Sequence, residues 1–439
     1  GNVYEALLGG AKHNLKNCWW IIDYNRQSLD GIVFEKLFEK IINLFELMDW
    51  NVEILKYGSK LQKLKQSKSG RKILKWIDDC PNDLFSALTY QGGKDWRKTL
   101  LEVFTKDQDT VNLIQSFNDQ ELYDLMTNLA GHDMESLEIT FSKYIKSDKP
   151  TCFICYTVKG FGLPLAGHKD NHSGIMNNNQ FNDYKKLMKI RDGQEWSKTE
   201  GIDLNINELN SIINSNPLSK CNREFAEVIP VIPLKEIAFN KFISSQEAFG
   251  KIMNEIGKVK NSFTDRIITT SPDVTVSTSL GGWVNKKNIF STHKKTDIFG
   301  EKKVFSSQKW KYVPDGQHIE LGIAENNLFL LLASLGISDK LFGKRILPIG
   351  TIYDTFIGRG LDALNYATYI DARFIIIGTP SGVTLSHEGG AHQSILTPNI
   401  GISQPNLTYY EPSYADELEF LFFWALKYIQ KISYTHMLS

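Results

Sequence analysis

The stretch WIIDYNRQSLDG, residues 20–31, decides how this chain is read. Trp20, Ile21 and Ile22 have the character of a buried β-strand, yet the run ends in Asp23, Asn25 and Gln27. These three alternate, so an extended exit from the strand points all of them to one side. Two readings are open. The polar residues form an Asx turn that stops the strand, or they are an oxygen-only set for a hard cation such as magnesium, which keeps few protein ligands and shares itself with phosphates.

Working outward, strand-like runs fall at residues 17–23, 151–158, 266–270, 345–351 and 372–378. Helical patterns fall at 4–14, 34–48, 119–129, 322–335, 354–370 and 414–429. Strands alternating with helices predict an α/β fold with parallel sheets, whose ligands sit at the carboxyl ends of the strands. The polar, Asn-rich residues 205–223 interrupt the regular elements, and Pro230 and Pro233 follow, which places a domain boundary there. Residues 60–75, rich in Lys and Ser, read as solvated surface, and residues 286–309 as a long, mobile insertion loop.

The 439 residues suffice for two or three domains. The 50 basic and 50 acidic residues cancel, so no overall field selects nucleic acid or an anionic membrane. The longest apolar run, residues 328–333, falls short of a membrane span. The chain starts at Gly1 rather than Met, and residues 1–13 read as the middle of an element, so a fragment is expected. Five cysteines in a chain of this size predict a reducing, cytoplasmic setting. Cys152 and Cys155 have metal-pair spacing but lie on a predicted strand, where residues three apart face opposite sides; they are expected to be buried thiols.

Three further loops carry chemistry. KGFGLPLAGHKDNHSG follows the Cys152 strand and holds His168 and His172, with Pro164, Gly167 and Gly174 arguing against a helix. It is either a mobile surface loop or one that presents histidines to anionic or carbonyl oxygens. HIELGIAENN puts Glu325 at the start of an apolar helix, a position explained by the helix dipole or by use as a pKa-shifted proton donor. SGVTLSHEGGAHQS has His387 and His392 five apart across Gly389 and Gly390, which does not make a zinc helix. Its His392 and Gln393 suit polar contacts to a substrate. There is no Walker loop and no nucleophile elbow.

Taken together and in this order, these segments resemble the thiamine diphosphate enzymes of the transketolase group, and within it the first component of the homodimeric type of pyruvate dehydrogenase. The resemblance implies two thiamine diphosphate-binding-fold domains, each a mainly parallel sheet flanked by helices. Residues 1–225 would be a diphosphate- and Mg²⁺-binding domain lacking its amino-terminal part, and residues 235–439 a pyrimidine-binding domain. The family's carboxy-terminal domain would be absent. In IIDYNRQSLDG, Asn25 would ligate Mg²⁺ with Gln27, through its backbone carbonyl, while Asp23 and Asn25 serve the cofactor; the family's metal-binding Asp would lie upstream of Gly1. Weak cofactor binding and poor activity are therefore expected of the chain as it stands. Glu325 in GIAE would hydrogen-bond the aminopyrimidine, with Phe356, or alternatively Tyr353, packed against that ring. His172 and His392 would contact substrate and move protons, and Asp273, His168 and Gln393 would have weaker substrate roles.

The implied function is oxidative decarboxylation of a 2-oxo acid, pyruvate foremost, with acyl transfer to a lipoyl group. The implied assembly is a homodimer with its active sites at the subunit interface, partnered by a lipoyl-bearing acyltransferase, without nucleic acid or membrane. One alternative is transketolase-type transfer of a two-carbon unit between sugar phosphates, which needs basic side chains at the pocket mouth; Arg359 is a candidate. Another is an inactive or split subunit that acts by assembly.

Overall fold

In the computed structural model, residues 2–29, 31–34, 37–217, 228–232 and 237–431 are described. The chain divides into two compact units, Leu15–Pro217 and a second built from Gly1–Asn14 with Leu218–Ser439.

The unit Leu15–Pro217 has a parallel three-stranded sheet of β1 (Trp19–Tyr24), β2 (Asn51–Leu55) and β3 (Thr151–Tyr156), in the order β1–β3–β2. All six residues of β3 are buried, as a central parallel strand covered on both faces requires. Burial pushes the Cys152 and Cys155 thiols up to about 12 and 11, so both are inert, as their strand placement predicted. Asp23 lies beside Cys155 and Tyr24 beside Tyr156, which brings the tips of β1 and β3 to one level.

Two expectations for this unit need correction. Residues 60–75 are not simply solvated surface: Leu61, Leu64, Ile73 and Leu74 are buried, on helices Ser59–Lys63 and Lys68–Asp79 whose lysines face outward. The Lys/Ser composition hid an amphipathic period. Residues 205–223 are not uniformly irregular either. Asn205 and Glu208 form a capping box that starts the helix Ile206–Ser215; residues 218–223 lie outside the described residues.

The second unit has a six-stranded, all-parallel sheet. Its strands are β4 (Ile267–Ser271), β5 (Ile289–Phe290), β6 (Tyr312–Val313), β7 (His318–Glu320), β8 (Leu347–Ile352) and β9 (Ile375–Gly378), in the order β6–β5–β7–β4–β8–β9. On one face, Phe249, Ile252 and Ile256 of helix Ser245–Lys258 pack with Trp283, Phe422 and Leu426. On the other, Leu328, Phe329 and Leu332 of helix Glu325–Gly336 pack with Ile352, Ala363 and Leu364. Residues 286–309 are not one long loop, because β5 and a short helix, Ile298–Glu301, interrupt them and Ile289 is buried.

The amino-terminal helix Asn2–Lys12 packs here rather than with residues 15–217. Leu7 is fully buried, Asn327 Nδ2 donates to the Glu5 carbonyl (3.0 Å), and Lys12 Nζ donates to the Glu320 carbonyl (2.9 Å). The other edge of the expected boundary, between residues 225 and 235, falls on or next to residues outside those described.

The expected helix at 354–370 is a 3₁₀ segment, Asp354–Gly360, followed by the α-helix Leu361–Tyr369. Gly360 makes the junction possible. A Cβ there would stand 2.2 Å from Phe329 Cδ2 and 3.0 Å from the Glu325 carbonyl. Gly360→Ala should therefore destabilise the protein by about 1–3 kcal/mol, as overpacking does. Gly358→Ala, with open space around its Cβ, should stay within about 0.5 kcal/mol of wild type. Urea unfolding of the two variants checks the contrast.

Candidate functional site

At the tip of β1, Asn25 Oδ1 accepts the Gln27 N–H (3.0 Å), which is an Asx turn, and Asn25 Nδ2 donates to Asp23 Oδ2 (3.3 Å). The Thr157 hydroxyl, just past β3, donates to Asp23 Oδ1. Arg26 takes a left-handed conformation (φ 62°), and its guanidinium is buried over the Phe85 ring at 3.9 Å. Gln27 Nε2 donates to the Gly167 carbonyl (3.0 Å), while its buried Oε1 has no hydrogen-bond partner. Gly167 has φ 78°, and a Cβ there would stand 2.7 Å from the Ser86 carbonyl, so glycine is required where the loop after β3 meets the tip. Lys159 Nζ ties the same loop to the Ser28 carbonyl (2.7 Å).

That loop is built of turns, not a helix. His168 packs its edge on Tyr90 (4.6 Å between centroids), and its Nδ1 accepts the Asp170 N–H (3.1 Å); His172 is exposed. Sequence reading passed over His132. Its Nε2 accepts the Val158 N–H (2.8 Å), and its ring stacks on Phe161 at 4.0 Å. An acceptor at Nε2 places the proton of the neutral ring on Nδ1, and burial lowers the pKa. No spacing pattern announces such a residue, because its partners lie far along the chain.

In the other unit, Glu325 begins its helix and is 7% exposed. Arg359 Nη1 reaches Glu325 Oε1 at 3.1 Å, and the guanidinium lies over Phe356 at 4.1 Å. Phe356 runs parallel to Tyr353 (6.0 Å, 3°) and meets His392 edge to face (5.5 Å, 67°). His392 Nε2 is 3.9 Å from Glu388, and its buried Nδ1 has no partner. Glu325, Arg359, Phe356, Tyr353 and His392 thus form one cluster, while Gln393 and His387 are exposed.

Asp273 is exposed at the tip of β4, in a left-handed conformation (φ 64°). Its backbone belongs to a buried network. Trp283 Nε1 donates to Thr269 Oγ1 (2.9 Å), which also lies 2.9 Å from His318 Nδ1. Thr275 Oγ1 donates to Glu320 Oε2 (2.8 Å) and so accepts from His318 Nε2–H (2.9 Å). Glu320 Oε1 collects the N–H groups of Asp273 (2.8 Å) and Gly322 (3.0 Å). Burial alone would raise the Glu320 pKa, but His318, the Gly322 N–H and the Thr275 hydroxyl outweigh it and hold the carboxyl near about 2. This network anchors the turn that delivers Glu325.

Both units carry polar clusters at the carboxyl ends of parallel strands, and solved structures share the fold. Transketolase from Campylobacter jejuni superposes with a TM-score of 0.58 over 97% of this chain and 52% of its own, at 15% identity. Transketolase from Leishmania mexicana gives 0.58 over 97% and 52%, at 16% identity. That likeness shows a transketolase-like α/β fold. Residues 237–432 match the family model of the pyruvate dehydrogenase E1 component middle domain. The pyruvate dehydrogenase E1 component of Corynebacterium glutamicum is 22% identical over 454 residues, covering 96% of this chain and 47% of that protein. The E1 component of Escherichia coli K12 is 23% identical over 439 residues, covering 94% and 48%. The chain thus spans about half the length of the curated relatives it matches. Among the described residues no helix is long and apolar enough to cross a membrane.

The depressed Glu320 pKa gives a pH prediction with a definite sign. A carboxyl whose folded pKa lies below its unfolded value of about 4.3 adds stability above that value and loses it as pH falls toward 2. Glu320→Gln should cost up to about 3 kcal/mol at pH 7, and the gap to wild type should narrow steadily below pH of about 4. Urea unfolding across pH checks this; a gap independent of pH would contradict it.

Proposed function

We propose that the chain works in thiamine diphosphate-dependent oxidative decarboxylation of a 2-oxo acid, pyruvate, with the acyl group passing to a lipoyl group on a partner acyltransferase in the cytoplasm. The observation that carries this reading is the buried carboxylate of Glu325, set beside Phe356 and His392, within the segment that matches the E1 middle domain.

The residues present fit the cofactor. Asp23, Asn25 and Gln27 offer oxygens only, and the buried, unpartnered Gln27 Oε1 is an acceptor without a donor or cation. Such a set would suit a hard cation such as Mg²⁺. Phe356, with Tyr353 behind it, offers an aromatic face to a pyrimidine, and Glu325 offers a carboxylate in reach of that face. Thiamine diphosphate supplies the nucleophilic carbon of the reaction when bound. Glu325 would hold or move a proton at its carboxylate, with Arg359 fixing Oε1. His392 has a free ring nitrogen with which to bind or protonate a substrate oxygen, and His172, exposed on its loop, is a second candidate for that work. Asp273, His168 and Gln393 remain secondary substrate contacts.

The protein would act as a homodimer with shared active sites. Ile323, Leu330, Tyr366 and Tyr369 are exposed on and beside the helices Glu325–Gly336 and Leu361–Tyr369, an apolar face of the sort that interfaces cover. The transketolase alternative needs free cations for a sugar phosphate, and Arg359 is already engaged with Glu325 and Phe356.

With thiamine diphosphate and Mg²⁺ at saturating concentration, the full-length protein should release carbon dioxide from pyruvate and should not transfer a two-carbon unit from xylulose 5-phosphate to ribose 5-phosphate. Two-carbon transfer without pyruvate turnover would overturn the assignment. Inactivity with both substrates would favour the assembly-only reading.

A further inference from the structure

The second unit contains a cavity of ≈ 270 Å³ that the cofactor reading does not use. It lies along strand β9, which pairs with β8 and, among the described residues, has no strand on its other side. Its walls are mainly apolar, with Phe249, Ile377, Leu418 and Phe422 among them. Two carboxyl groups line it, Asp354 and Glu411, and no Lys, Arg or His does.

Asp354 is 8% exposed, and among the described residues no Lys, Arg or His pairs with it. Burial raises its pKa, with Glu411 adding repulsion. An ionised carboxyl in an apolar setting without a counter-charge is costly, and a cation entering the cavity relieves that cost. A metal ion is a poor match, because hard cations need several oxygen ligands, the walls are apolar, and no cluster of three or more His, Cys, Asp or Glu exists among the described residues. An organic cation satisfies both features at once.

We propose that this cavity binds a small apolar monocation, an alkyl or arylalkyl primary ammonium, with its charge at Asp354 and its hydrocarbon among Phe249, Leu418 and Phe422. The volume lies just below the range of about 300–1,000 Å³ usual for drug-sized ligands, which favours a single ring or a short chain. The site also adjoins the Glu325 cluster. Asp354 and Ile357 line the cavity, while Phe356 and Arg359 of the same 3₁₀ segment meet His392 and Glu325. A bound amine would therefore act on the segment that carries the aromatic face.

Calorimetric titration of the full chain with phenethylamine, phenethyl alcohol and 3-phenylpropionate tests the proposal without reference to catalysis. The amine should bind at least tenfold tighter than the alcohol, and the acid should not bind. Asp354→Asn should weaken the amine at least tenfold and leave the alcohol unchanged. Should that variant fail to fold, Glu411→Gln, at an exposed position, should still weaken the amine threefold or more. An amine that binds no tighter than the alcohol overturns the proposal, as does undiminished amine binding by a folded variant.

Discussion

The carboxylate of Glu325 is held out of water at the head of an apolar helix, and the second unit is organised around that placement. A helix amino terminus favours a negative charge, but a side chain 7% exposed also needs a partner. Arg359 provides it from the 3₁₀ segment that follows β8. The two come close because Gly360 has no side chain to hold Phe329 away. Below them, Glu320 draws in the N–H groups of Asp273 and Gly322, so the turn into the helix is fixed from the sheet side as well. The amino-terminal helix adds a third hold through Lys12, on the Glu320 carbonyl.

The unit Leu15–Pro217 solves a related problem with neutral groups. The tip of β1 bends in an Asx turn around Arg26, whose charge is covered by Phe85. Gln27 then joins that tip to the loop after β3 at Gly167. The outcome is a set of oxygens held by backbone geometry rather than by neighbouring charges.

How much of this could be read from the residues depends on where the information lies. β3 and β8 were legible because strands buried on both faces are continuous apolar runs. β5, β6 and β7 are two or three residues long and carry no period of their own; they are strands because β7 pairs with β4, β5 with β7 and β6 with β5. Residues 60–75 misled because lysine dominated a helix whose buried stripe is Leu61, Leu64, Ile73 and Leu74. The clustering of Glu325 with Phe356 and His392 was implied by the family resemblance, whereas Arg359 as the partner of Glu325 was not. His132 and the His318–Glu320 network were also missed, since each is defined by contacts between residues distant in sequence. For Gln27, sequence reading emphasised the backbone carbonyl, while the structure engages the side chain.

The central claim is that Glu325 moves a proton to or from bound thiamine diphosphate. Exchange of the hydrogen on the reactive thiazolium carbon, followed by NMR after mixing into deuterium oxide at saturating cofactor and Mg²⁺, measures this step without any substrate. The account predicts rapid exchange in the wild type and a rate lower by about 10²-fold or more in Glu325→Gln, the range of general acid–base effects. Equal rates in a variant that still binds the cofactor would contradict it.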